Sequence, residues 1–152
     1  MKQRIYIDTS VFGGYFDSEF DIPSQKLFQR IVNKDFLVYF SDINEAELLL
    51  APQHIRDIQK LIPLDCFTFI EVNDEVETFA STYIFEKILG KASENDAYHI
   101  ALSAVHRVDC LISWNFKHIV NYHKIKMFNA INIRMGYPMI DIRSPFEFTK
   151  DE

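Results

Sequence analysis

At 152 residues, 48% of them hydrophobic, with 14 Phe and 7 Tyr against four Gly and five Pro, the chain carries enough apolar surface for one conventional core, which argues against disorder. The amino terminus MKQRIYIDTSVFGGYF has no secretory pattern and no run reaches the about 18 apolar residues of a membrane span, so a cytoplasmic protein without membrane contact is expected. A net charge of −6 counts against a broad basic face for nucleic acid, yet it suits an acidic pocket whose positive charge arrives with bound ions.

In chain order, the first expected strand is residues 4–8, apolar through Ile5, Tyr6 and Ile7 and ending in Asp8. A carboxylate at a strand lip is a candidate ligand; the plainer alternative is a turn acid ahead of a helix. Thr9 and Ser10 add hydroxyls suited to a phosphate or a metal-bound water, although Ser10 serves equally as an N-cap. A helix at 24–33 and a strand at 36–40 follow, then a helix at 42–51 in SDINEAELLLA. Glu45 and Glu47 point about 200° apart on that helix, so only one faces a common site. With Ala46, Leu49 and Leu50 taken as the apolar side, Glu47 borders it and Glu45 is a solvated charge.

The stretch from Pro52 to Pro63 reads as a turn between helices, with a helix at 53–61, and is followed by a strand at 67–72 and a helix at 74–89. Cys66 and Cys110 both sit in apolar, strand-like surroundings without metal-ligand spacing, and are expected to be buried free thiols. In the helix at 94–108, Asp96 stands in the first turn, where the helix dipole alone favours an acid. His99 and Ser103 share its stripe. A surface histidine is the plainer reading of His99, and contact with a phosphate or support of the acids is the functional one. A strand at 110–113 leads to Asn115 at another strand lip, with an amide oxygen able to ligate a hard cation. Lys117, His118, His123, Lys124 and Lys126, interleaved with Phe116 and Tyr122, form the densest basic segment, either a nucleic-acid footprint or a solvated helix face at 117–123. A fifth strand is expected at 139–142.

Strands alternating with helices imply right-handed crossovers and a three-layer α/β/α domain with a mostly parallel five-stranded sheet, one domain over residues 1–152. In the order 3-2-1-4-5 the ends of strands one and four are neighbours, and Asp8, Glu47, Asp96 and Asn115 would line one crevice. That crevice offers the hard oxygens that Mg²⁺ or Mn²⁺ needs for phosphodiester hydrolysis.

The opening IYIDTS, the SDINEAELL helix, the NDAYHIA helix and the LISWN strand end resemble, in order and spacing, the PIN-domain family and its VapC-like toxin ribonucleases, over nearly the whole chain. The resemblance implies a metal-dependent endoribonuclease with Mg²⁺ or Mn²⁺ on Asp8, Glu47 and Asp96, and with Asn115 where the family has a fourth acid. Ser10, His99 and Lys117 are the expected substrate contacts. It also implies an RNA substrate, a homodimer and an antitoxin protein as inhibitor. Asn115 departs from the pattern, since a neutral amide attracts a cation less and cannot act as a base. Two other readings stand beside this one: a catalytically weak module binding RNA or a protein partner, and a receiver-like phosphoacceptor, which lacks here both an acidic pair at Asp8 and a lysine at a later strand end.

Overall fold

Strand β1 (Gln3–Ile7) is apolar on both faces, with Ile5, Tyr6 and Ile7 all buried, as a central strand covered on two sides must be. The computed structural model describes residues 1–150 and places β1 in the middle of a five-stranded sheet. The other strands are β2 (Phe36–Ser41), β3 (Phe67–Ile70), β4 (Cys110–Ile112) and β5 (Asp141–Arg143). The order is β3-β2-β1-β4-β5 and every pairing is parallel, with Ile5 opposite Val38 on one side and Cys110 on the other. The fold is thus α/β and PIN-like. A receiver domain would order its strands 2-1-3-4-5, and that reading is set aside.

Among the described residues, eight α-helices connect or flank the strands: α1 (Ser10–Gly14), α2 (Asp21–Val32), α3 (Asp42–Leu49), α4 (Gln53–Arg56), α5 (Asp74–Phe85), α6 (Glu94–Val105), α7 (Tyr122–Arg134) and α8 (Pro145–Thr149). Because side chains alternate along a strand, the sheet feeds two cores. Tyr6, Leu111 and Ile142 face α5, α6 and α7, packing with Val76, Phe79, Tyr83, Ile100 and Phe128. Ile5, Ile7, Val38, Phe40 and Ile112 face α1 and α2, packing with Phe12, Leu27, Phe28 and Ile31. Both cysteines are free and buried; Cys110 lies in β4, but Cys66 ends a short 3-10 turn just before β3 instead of lying in a strand.

The expected helix at 117–123 begins only at Tyr122, as the first turn of α7, and residues 117–119 form a turn instead. Asn115 and Asn121 each accept a backbone N–H three residues on, from His118 at 3.0 Å and Lys124 at 3.1 Å. The first contact caps a turn and the second starts α7, which runs well past 123. Helix α8 was not expected either; it begins at a capping box between Ser144 and Glu147 with Pro145 in its first turn. Residues 57–61 are a 3-10 turn and not a continuation of α4.

Candidate metal centre

The crevice lies beyond the carboxyl ends of β1 and β4, where the chain leaves β1 for α2-side and β4 for α7-side connections in opposite directions. Its walls enclose a pocket of about 330 Å³ that includes Asp8, Thr9, Ser10, Gly13, Glu47, Asp96 and Asn115. The four strand-lip and helix residues named from the sequence therefore share one pocket.

Asp8 is buried and held from two sides: the hydroxyls of Ser10 and Ser113 each donate to Oδ2 at 2.7 Å. Ser10 also accepts from the Trp114 N–H at 3.0 Å, so its hydroxyl joins the ends of β1 and β4 with its proton committed to Asp8. Glu47 projects from α3. Thr9 donates to its Oε1 at 2.7 Å, His99 Nε2 lies 2.7 Å from the same oxygen, and the Asn95 amide reaches Oε2 only at 3.4 Å. Burial raises the Glu47 carboxyl, but hydrogen bonding and charge from His99, with help from Thr9 and Asn95, bring it below its ordinary value.

Asp96, in the first turn of α6, is half-buried and its carboxylate takes no hydrogen bond among the described residues. Burial first, then the charge of Asp8, hold its carboxyl above the ordinary value. Asn115 reaches the pocket rim, but its Oδ1 is the acceptor that caps the following turn. Lys117 is exposed on that turn and is not part of the pocket wall.

His99 is not a surface histidine; its side chain is fully buried, which leaves no part of it open to a phosphate. The apolar face of α6 is broader than the stripe through Asp96 suggests, because Leu102 and Ser103 are buried too. Besides Glu47, His99 Nε2 stands 3.2 Å from Asp8 Oδ1, and its Nδ1 lies 2.6 Å from the Tyr6 hydroxyl. Burial opposes its protonation, yet Asp8, Glu47 and Asp96 leave the imidazole net easier to protonate than a free one. Asp8, Glu47 and His99 together place one potential ligand atom each within 4.8 Å of one another.

Several supporting residues escaped sequence reasoning, Ser113 on Asp8 and Ser41 beside Tyr6 among them. Tyr6 looks like one more apolar strand residue, and nothing in its neighbours reveals that its hydroxyl meets His99. Asn44 is buried at the start of α3, where its amide donates to the Ile7 carbonyl and Thr9 Oγ1, both at 3.0 Å. The S-x-x-N spacing from Ser41 is a capping signal that marks it.

Fold and site together define a PIN-like α/β protein with an acidic cluster at the sheet's switch point. No family model matches the chain, and neither does any curated protein. Among solved structures, one chain of a toxin-antitoxin complex from Klebsiella pneumoniae aligns over 75% of this chain and 88% of its own, at 18% identity and a TM-score of 0.55. A chain of VapBC2 from Rickettsia felis, solved bound to a DNA fragment from their promoter, aligns over 93% of this chain and 98% of its own, at 15% identity and a TM-score of 0.56. At such identities the likeness is one of fold. No helix among the described residues is long and apolar enough to cross a membrane.

Proposed function

We propose that the chain is a single-domain, divalent-metal-dependent endoribonuclease of the cytoplasm, the toxin half of a toxin–antitoxin pair. The carrying observation is the Asp96 carboxylate, which takes no hydrogen bond among the described residues, in a pocket shared with Asp8 and Glu47. Three carboxylates lining one pocket repel one another unless a cation sits among them, and an all-oxygen set of this kind suits Mg²⁺ or Mn²⁺. The residues fit such an ion, with Asp96, the lightly engaged Glu47 Oε2 and Asp8 Oδ1 as the oxygens to hold it. When bound, the ion supplies Lewis acidity and an acidified water for attack on phosphorus.

The chain's own groups do the positioning. Ser10 and Ser113 fix Asp8, while Thr9 and His99 fix Glu47. Asn115 cannot take a proton, so the role of base falls to the carboxylates. Phe16, Leu49 and Leu50 are exposed, the two leucines on or just beyond the helix that carries Glu47, and apolar surface of this kind supports an antitoxin or a second copy covering that side.

Cleavage of a mixed RNA pool tests the reading. Wild type is expected to cut only with Mg²⁺ or Mn²⁺ present, and Asp8→Asn and Asp96→Asn are each expected to lose the activity. Undiminished cleavage by both variants would overturn it. The engaged Oδ1 of Asn115 favours one alternative, a PIN-like module that binds RNA or a partner without cutting it. Binding of the same pool without metal-dependent cleavage is its signature.

A further inference from the structure

Resting on the metal reading above, we propose that His99 is a positioning residue that clamps Glu47 beside Asp8 through its Nε2–H and is not itself a ligand of the ion. Its Nε2 lies 2.7 Å from Glu47 Oε1 and 3.2 Å from Asp8 Oδ1. Ionised carboxylates only accept, so the hydrogen in the shorter contact belongs to the imidazole. A nitrogen that carries a proton has no lone pair to give a cation.

The other nitrogen is committed as well. Nδ1 meets the Tyr6 hydroxyl, which lies 2.7 Å from Ser41 Oγ. Ser41 is the N-cap of α3 and accepts from the Asn44 N–H at 3.2 Å. Glu47 stands one helical turn beyond Asn44 on the same helix. The hydrogen-bonded line therefore leaves the start of α3, crosses the core through Tyr6 and His99, and returns to the carboxylate of α3. Tyr6, Ser41, Asn44 and His99 are all buried, and none leaves a side-chain N or O unpaired. Turning the ring toward a cation would break two of these bonds where no water replaces them.

The clamp also divides the work of Glu47. Oε1 is taken by Thr9 and His99, and Oε2 is left for the ion. The donor set is then oxygen alone, although Asp8, Glu47 and His99 cluster as a mixed nitrogen and oxygen site would.

Two spectroscopic readouts on the full chain test this without reference to activity. In the metal-free, ¹⁵N-histidine-labelled protein, long-range proton–nitrogen correlation is expected to show a protonated Nε2 on His99, assigned by its disappearance in His99→Gln. With Mn²⁺ added, pulsed EPR is expected to show no directly coordinated nitrogen. His99→Gln retains an N–H for Glu47 and should keep Mn²⁺ affinity near wild type, whereas His99→Leu should lose it by roughly 10- to 100-fold. An unprotonated Nε2, or a nitrogen coupling that vanishes in His99→Gln, would overturn the proposal even if His99→Leu failed to fold. Absence of any bound Mn²⁺ would sink the metal reading alone, and the clamp would then stand or fall on the protonation of Nε2.

Discussion

Asp8, Glu47 and Asp96 occupy three different chemical situations although all are acids in one pocket. Asp8 is fixed by hydroxyls, Glu47 is paired with His99, and Asp96 takes no hydrogen bond among the described residues. The pairing has a pH signature. The folded chain holds the His99 proton more tightly than the ordinary value of 6.5 allows, so the stability this group contributes is complete below 6.5 and is lost as pH rises through the higher folded value. The melting temperature of the metal-free protein is accordingly expected to fall as pH rises above neutrality, and His99→Gln should flatten that part of the curve. An equal slope in both proteins would contradict the assignment. The acids were open to sequence reasoning because strand lips and helix starts can be read from apolar runs. Glu47 was separated from Glu45 on an imperfect premise, however: Ala46, Leu49 and Leu50 are exposed, and the buried side of α3 is Asn44 and Leu48. Core polar residues such as Asn44 and His99 are where apolar periodicity misleads, since their burial depends on partners distant in the chain.

At the level of elements, α1 is a five-residue helix whose position depends on one small residue. A Cβ at Gly14 would come within 2.6 Å of Trp114 Nε1 and 2.8 Å of Ser24 Oγ. The indole has little freedom to yield, because its N–H donates to Ser24 at 2.9 Å and its ring stacks on Phe20 at 4.1 Å. Gly14→Ala is expected to destabilise the fold by about 1–3 kcal/mol in urea unfolding. An unchanged midpoint would show that α1 shifts freely and does not fix the wall of the pocket. The same dependence on tertiary partners explains why α7 was placed too early and too short. Its inner face includes Asn129 and Asn132, which break the apolar rhythm; Asn129 is satisfied by both backbone groups of Ile140, and Asn132 accepts from the Tyr83 hydroxyl. The strands, by contrast, are short apolar runs flanked by polar residues, and their ends differ from expectation by only a residue or two.

Across the whole molecule, topology converts scattered acids into a site. The order β3-β2-β1-β4-β5 puts β1 and β4 side by side, α3 follows β2 over the same edge, and the start of α6 closes the crevice from the face opposite α1 and α2. This order was legible because strand and helix alternate and parallel crossovers have one hand. The chemistry of the crevice was legible only as a set of residue types, since sequence spacing carries no distances. A carboxylate in such a place, with no hydrogen bond among the described residues, predicts that an ion binds the native state and not the unfolded chain, which stabilises the fold by about 2.7 kcal/mol at an ion concentration 100 times Kd. The most direct measurement is a calorimetric titration of wild type and Asp96→Asn with Mn²⁺. Saturable binding by wild type, weakened or lost in Asp96→Asn, is the predicted result; no binding by wild type, or equal binding by both, would contradict the assignment of this pocket as a metal centre.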